Sequence, residues 1–263
     1  MRLALGLSLC LAAVLPAVPV AAADKVIRTM DLSAPFQTRS PWQFIATQGA
    51  EEEDPSGDTA PGPITPCITR DKGATCNSAA TSALRLPGSD DVFSTPHFIS
   101  RLEVVHAKAE GETGRSLLLL QLASFQAGNG DRRVALQLYA YDRAKDAFTA
   151  VFTHRTGRNN NQELRYVEAG PLRGNVITAE PTQDAPYGYW ITVHKPAASG
   201  QYGQALRFRS ATAYGDGNPL AVIDSEMPNI LKRLGLWRAG MPLPLPAGEC
   251  PRPHLVGMAL WCR

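Results

Sequence analysis

The sequence lacks every short motif that marks a common catalytic site. It contains no His-Glu-x-x-His, no Gly-x-Ser-x-Gly, no phosphate-binding glycine loop and no dinucleotide-binding fingerprint. An excess of one charge is also lacking, because the net charge is only +2 at pH 7, so we expect no nucleic-acid partner. Catalysis is therefore the less favoured function, and we predict no catalytic residue, no metal site and no cofactor.

Long apolar runs are absent except at the start of the chain. Arg2 precedes an uncharged stretch rich in Leu, Ala and Val, which ends at Ala21-Ala22-Ala23. This pattern predicts a cleaved secretory signal over residues 1–23, and hence a periplasmic or secreted protein. Lipidation of Cys10 is not expected, because Leu9 occupies the position of a small residue. No later stretch is apolar enough to cross a membrane once the signal is removed.

Four cysteines follow the signal, and an even number in an oxidising compartment indicates disulfides. They form two pairs close in sequence within loop-rich regions. We therefore predict the local bridges Cys67–Cys76 and Cys250–Cys262. A zinc site is disfavoured by the wide spacings.

The remaining chain reads as antiparallel β structure. Short apolar or alternating runs are separated by Gly, Asn, Asp and Pro, and connections this short require antiparallel neighbours. Leu117 to Leu120 do not alternate, which indicates a strand covered on both faces. The predicted strands cover residues 26–32, 42–47, 102–109, 116–125, 133–141, 148–153, 163–168, 175–180, 189–195 and 205–212.

These strands predict an all-β antiparallel meander that forms a sandwich or a partly open barrel. Residues 141–148 resemble the inner hairpin of a kelch propeller blade, which implies propeller-like blades as the alternative. The paired glycines of such blades are missing and no second copy occurs. We divide the chain into the signal (1–23), N-terminal strands with a disulfide-closed loop region (24–100), the β core (101–223), and a helix with a disulfide-closed tail (224–263).

One short amphipathic helix is predicted near the C-terminus. Met227, Ile230, Leu231 and Leu234 form an apolar stripe, whereas Glu226 and its polar neighbours face away. Ser225 is the expected N-cap, which places Pro228 in the first turn, where it breaks no hydrogen bond. Gly235 is expected to end the helix.

Three polar segments could carry function but are first interpreted as loops. They are the acidic segment 51–58 within a surface loop over residues 49–66, the Asn-rich segment 158–163, and the turn 214–219. The alternatives are contacts to sugar hydroxyls at 158–163 and calcium binding at Asp216 and Asn218. A glycosidase pair drawn from Glu163 or Glu180 with Asp224 or Glu226 is a further alternative.

Strand periodicity predicts one ligand-binding face. Leu206 and Phe208 point to one side of their strand, so Arg207 and Arg209 point to the other. If the strand of Trp190 pairs with it, an indole lies among two guanidiniums, which suits an anionic glycan or protein partner. The favoured function is an exported, non-catalytic binding or structural module of the bacterial envelope, with a glycan or envelope protein as partner. A carbohydrate-active hydrolase is the alternative.

Overall fold

The structure, a computed structural model, describes residues 24–88, 91–107, 114–128, 130–157, 162–182, 188–210, 221–241, 254–256 and 259–261. Three helices occur in this part of the chain: α1 (Ser33–Phe36), α2 (Ser78–Thr81) and α3 (Val222–Arg233). The strands are β1 (Lys25–Asp31), β2 (Gln43–Gln48), β3 (Glu52–Glu53), β4 (Thr59–Ala60), β5 (Ile64–Thr69), β6 (Phe98–Ala107), β7 (Arg115–Gln126), β8 (Arg132–Asp142), β9 (Ala147–Arg155), β10 (Glu163–Tyr166), β11 (Val176–Pro181), β12 (Tyr189–Pro196), β13 (Tyr202–Ser210), β14 (His254–Val256) and β15 (Ala259–Trp261).

The main strands form three antiparallel sheets. The first has the order β1-β2-β5, the second β6-β7-β8-β9 and the third β10-β11-β12-β13. Each four-stranded sheet is a meander, since its strands follow the chain order. Strands β3 with β4 and β14 with β15 make small hairpins. The predicted all-β antiparallel meander is confirmed.

The three sheets pack face to face, with the second sheet in the middle. On strand β7, Leu118, Leu120 and Leu122 belong to the core shared with the first sheet. Leu117 and Leu119 belong to the core shared with the third sheet. All five side chains are buried, so the run of leucines reflects a strand covered on both faces, as predicted.

Helix α3 covers the outer face of the third sheet. Ile230 and Leu231 are fully buried in the core that the helix shares with strands β11 to β13, so the predicted apolar stripe packs on the sheet. The helix ends as predicted, because Gly235 adopts a left-handed conformation with φ of 72°. The amide of Leu236 donates to the carbonyl of Leu231 over 2.8 Å, which completes the stop.

The predicted beginning of this helix is wrong. Ser225 is not the N-cap but a buried residue inside the helix, which starts at Val222 after Ala221. Pro228 consequently lies in the helix interior rather than in the first turn. Glu226 does not face solvent, because it is buried and accepts hydrogen bonds from Ser210 Oγ and, over 2.9 Å, from Asn229 Nδ2.

The first predicted disulfide is present. Cys67, on strand β5, is bonded to Cys76, with 4.8 Å between the two Cα atoms. Cys250 and Cys262 lie outside the described residues, so the second bridge stays a prediction. Within the described ranges, no helix is long and apolar enough to cross a membrane.

The N-terminal loop region contains more strand than the sequence indicated. Residues 49–66 were expected to form a surface loop, but they hold the β3–β4 hairpin and the start of β5. Strand β5 is an edge strand of the first sheet, where Pro66 interrupts no inner ladder of hydrogen bonds. Ile64 and Ile68 of this strand are buried in the core.

Candidate functional site

The candidate site lies on strands β12 and β13 of the third sheet. Trp190 is the register partner of Arg209, and Thr192 is the register partner of Arg207. Since partners across a ladder point to the same face, the indole and both guanidiniums share one face of the sheet. Leu206 and Phe208 point to the opposite face, into the core beneath helix α3. We call Trp190, Arg207 and Arg209 the aromatic–arginine face.

The Arg207 guanidinium stacks on the Trp190 ring. Its central carbon lies 4.6 Å from the ring centroid, within the range of a cation–π contact. The indole is 37% exposed although its strand has a neighbouring strand on each side. Arg207 and Arg209 are also exposed. A large apolar side chain fixed at the surface offers a platform for a planar or ring-shaped ligand.

This part of the third sheet remains accessible because the second sheet covers only part of the face. Phe152, on the edge strand β9, packs against Tyr202 and His194, with ring centroids 5.4 Å and 5.1 Å away. These contacts lie toward the β12–β13 turn. Trp190 and Arg209 lie at the other end of the hairpin and are exposed. The site therefore lies where the edge of the second sheet ends and the face of the third sheet becomes exposed.

A cluster of two histidines and one carboxylate lies beside this site. Glu180, on β11, is the register partner of Trp190, and its Oε1 lies 3.0 Å from His154 Nε2 on β9. The His154 and His194 rings are 6.1 Å apart. Among the described residues, Nε2 of His154 and Nε2 of His194 are both buried, and neither has a hydrogen-bond partner of ordinary geometry. The acid and the two imidazoles thus come from three strands and two sheets.

The electrostatics of the cluster favour a charged carboxylate and a neutral His194. The close contact with His154 lowers the pKa of Glu180 most, with smaller contributions from the positive charges of His154 and Arg207. Burial lowers the pKa of His194, and the neighbouring charge of His154 lowers it further. Arg207 therefore stacks on the indole and is close enough to the charged Glu180 to interact with it electrostatically.

Periodicity placed Trp190, Arg207 and Arg209 correctly on one face, but it did not indicate that His154, Glu180 and His194 meet beside them. His194 has the same strand parity as Trp190, which is a usable sequence signal. His154 and Glu180 meet only because the second sheet stacks on the third. In the described part of the chain, no group of three His, Cys, Asp or Glu side chains is arranged to hold a metal ion.

The candidate glycosidase carboxylates have other partners. Glu163 accepts hydrogen bonds from the amides of Val222 and Ile223 at the start of helix α3. Asp224 pairs with both terminal nitrogens of Arg165, over 2.6 Å and 3.3 Å. Arg165 also lies 3.9 Å from Glu163, so the structure brings these two acids to the same arginine. Glu180 and Glu226 are held in the separate contacts described above.

Most of the other polar segments lie beyond the described chain. Of the Asn-rich segment, residues 158–161 are outside the described residues. Gln162 is within them, and its Oε1 accepts a hydrogen bond from the amide of Gly157 over 2.8 Å. The turn 214–219, with Asp216 and Asn218, is also outside them. In the acidic segment, Asp54 Oδ1 accepts hydrogen bonds from the amides of Ser56 and Asp58, which is ordinary turn chemistry.

Comparison with known proteins found no matching family model, no similar curated protein and no similar solved structure.

Proposed function

We propose that this protein is an exported, non-catalytic binding module of the bacterial envelope, which holds an anionic ligand on the aromatic–arginine face. The observation that carries the proposal is the stacking of Arg207 on an exposed Trp190, with Arg209 directly opposite the indole. Export rests on the signal-like residues 1–23. The ligand class rests on the chemistry of the three side chains.

The arrangement suits a ligand that combines a ring with a carboxylate or phosphate group. Two guanidiniums offer paired N–H donors, which match the two oxygens of a carboxylate or phosphate. The indole offers an apolar surface on which a sugar ring can pack. Stacking on the indole also restricts Arg207 before the ligand arrives, which lowers the entropy lost on binding. Acidic glycans of the envelope have this combination of groups.

The first test is a glycan array probed with the protein lacking residues 1–23. We expect retention of glycans that carry uronate, sialate or phosphate groups, and little retention of their neutral counterparts. Because the contacts are exposed and charged, binding should weaken strongly as salt rises past about 0.1 M, where screening acts over about 10 Å. Binding restricted to neutral glycans, or insensitive to salt, contradicts the proposal.

The second test removes the two arginines. Arg207→Ala with Arg209→Ala should abolish binding while the melting temperature stays close to that of the wild type, because both side chains are exposed. The matched control is Lys25→Ala with Arg28→Ala, which removes the same charge from exposed positions of strand β1. Equal loss in both double variants shows only a general charge effect. Early unfolding of the first variant shows that these arginines are structural.

A further inference from the structure

A groove with polar walls lies at the turn of the β12–β13 hairpin, at the opposite end from Trp190. It has a volume of about 900 Å³ and is lined by residues from all three sheet layers. Gln37 follows helix α1 beside the first sheet, Arg115 begins β7, Arg143 and Lys145 lie in the β8–β9 turn, and Gln201 lies in the β12–β13 turn. Ligand pockets commonly have volumes of roughly 300–1,000 Å³.

The groove is positively charged. Arg115, Arg143 and Lys145 are all exposed, and Asp142 is the sole acid among the described residues that line it. Asp142 Oδ1 accepts hydrogen bonds from the amides of Ala144 and Lys145, over 2.9 Å and 3.2 Å. The hydrogen bond from the Lys145 amide lowers the pKa of Asp142. The acid is thus part of the turn, and its Oδ2 lies 3.6 Å from Lys145 Nζ, so it offsets one of the three positive charges while Lys145 stays largely exposed.

The guanidinium of Arg115 lies close to the backbone of the opposite turn. Gly200 has a φ of 82°, and a Cβ built there would lie 1.9 Å from Arg115 Nη1. A side chain at this position would therefore force the guanidinium to move away from the turn. Within the described residues no carboxylate pairs with Arg115, so no ion pair competes with a ligand for its donors. On the other wall, Arg143 Nη2 donates to Gln37 Oε1 over 3.0 Å.

We propose that this groove binds a small ligand carrying two anionic groups, phosphate or carboxylate, one held by Arg115 and the other by Arg143 and Lys145. The site is separate from the aromatic–arginine face. Strand β12 runs from Trp190 to Pro196 between the two, which at about 3.3 Å per residue is roughly 20 Å. The two sites can therefore be tested independently.

Calorimetry of the protein lacking residues 1–23 tests the groove with three probes: inorganic pyrophosphate, succinate and inorganic phosphate. We expect saturable binding of pyrophosphate or succinate, which decides between phosphate and carboxylate chemistry. Inorganic phosphate, with one anionic centre, should bind at least about tenfold more weakly, because it engages one wall only. The absence of saturable binding for both two-centre probes overturns the proposal.

Two sets of variants locate the binding. Arg115→Gln with Arg143→Gln should weaken binding of the two-centre probe at least about tenfold. Lys25→Gln with Arg28→Gln removes the same charge elsewhere and should leave binding unchanged, as should Arg207→Ala with Arg209→Ala. Equal weakening in the Lys25 and Arg28 variant shows nonspecific attraction and overturns the site.

Gly200→Ala changes no charge but displaces Arg115, so it should weaken binding several-fold. Gly88→Ala is its matched control, because Gly88 has a φ of 72° and open space around its Cβ position. Both variants carry the same backbone strain, and only the first disturbs the groove. Equal binding by the two folded variants overturns the role of Arg115. If Gly200→Ala does not fold, Arg115→Gln alone decides the same point.

Discussion

The carboxylate of Glu163, on strand β10, caps helix α3 by accepting a hydrogen bond from the amide of Ile223 over 3.1 Å. A second bond comes from the amide of Val222. The helix has no side-chain cap of its own, since Ala221 occupies the N-cap position. An acid from the neighbouring sheet thus satisfies two free amides and opposes the positive end of the helix dipole.

Removal of this cap should destabilise the fold. We expect Glu163→Ala to lower the free energy of unfolding by about 1–2 kcal/mol, the usual cost of losing a helix cap. Glu168→Ala is the control, because that acid is exposed and pairs with partly exposed Arg101, so its loss should cost less than about 1 kcal/mol. Urea unfolding monitored by circular dichroism measures both. Equal values for the two variants contradict the capping role.

The difference between prediction and structure in this region has a physical cause. Apolar periodicity is local, so the sequence predicted the stripe through Ile230 and Leu231 and the stop at Gly235. The cap is not local, because Glu163 precedes Val222 by 59 residues. Without knowledge of the Glu163 contact, Ser225 was the nearest residue whose side chain could cap the helix. The ten predicted strands match observed strands for the same reason, since alternation and turn residues act over a few positions.

The candidate site shows the same difference between local and long-range contacts. Strand parity placed Trp190, Arg207 and Arg209 on one face, and their pairing required only neighbouring strands of a hairpin. The contact between His154 and Glu180 depends on how two sheets stack, which no period in the sequence specifies. The sequence did not predict strand β5, because a proline such as Pro66 interrupts a strand except at the edge of a sheet.

Helix α3 provides a direct measure of core packing. Leu231→Ala should lower the free energy of unfolding by about 2–4 kcal/mol, because the side chain is fully buried between helix and sheet. Lys232→Ala, at the exposed neighbouring position, should cost less than about 0.5 kcal/mol. Denaturant unfolding of both variants checks this. Small and equal effects mean that the stripe is not buried in solution.

The buried arginine of the second sheet should depend on its acid. Arg133 is fully buried, and its Nη2 contacts both oxygens of Asp91 over 3.2 Å and 3.1 Å. Asp91→Asn leaves the arginine charge inside the protein, so we expect a loss of about 3–5 kcal/mol. Glu103→Gln, which disturbs the partly exposed pair with Arg101, should cost less than about 1 kcal/mol. Chemical denaturation that shows similar losses contradicts the importance of the buried charge.

Asp146 should make the fold sensitive to acid. Hydrogen bonds from Ser40, Tyr141 and Trp42 lower its pKa to about 2, that of Ser40 most strongly. Because the folded-state pKa is below the ordinary value of 3.8, the stabilisation is present above about pH 4 and is lost as the pH falls toward 2. Asp146→Asn should remove this part of the pH dependence. Thermal unfolding between pH 2 and 6 tests it, and identical slopes in both proteins contradict it.

The last prediction concerns how pH acts on the aromatic–arginine face, and it rests on the proposed function. The ionisable groups that meet there are Glu180 of β11, His154 of β9, His194 of β12 and Arg207 of β13. At neutral pH the carboxylate of Glu180 attracts Arg207 and repels an anionic ligand. Burial lowers the pKa of His194, so its imidazole gains positive charge beside Glu180 only as the pH falls below the ordinary imidazole range, and that charge offsets the acid.

Affinity for an anionic glycan should therefore rise as the pH falls below about 6.5, by a factor of roughly three to ten, since one added charge nearby is worth about 1 kcal/mol in water. Glu180→Gln should bind tightly already at neutral pH and show a weaker pH dependence, because it removes both the acid that His194 offsets and the negative charge that favours protonation of His194. His106→Gln, on strand β6, is the control and should retain the full pH dependence. Titrations over this pH range decide the matter. An affinity that falls on acidification, or a Glu180→Gln variant that keeps the wild-type profile, shows that the cluster does not regulate this face.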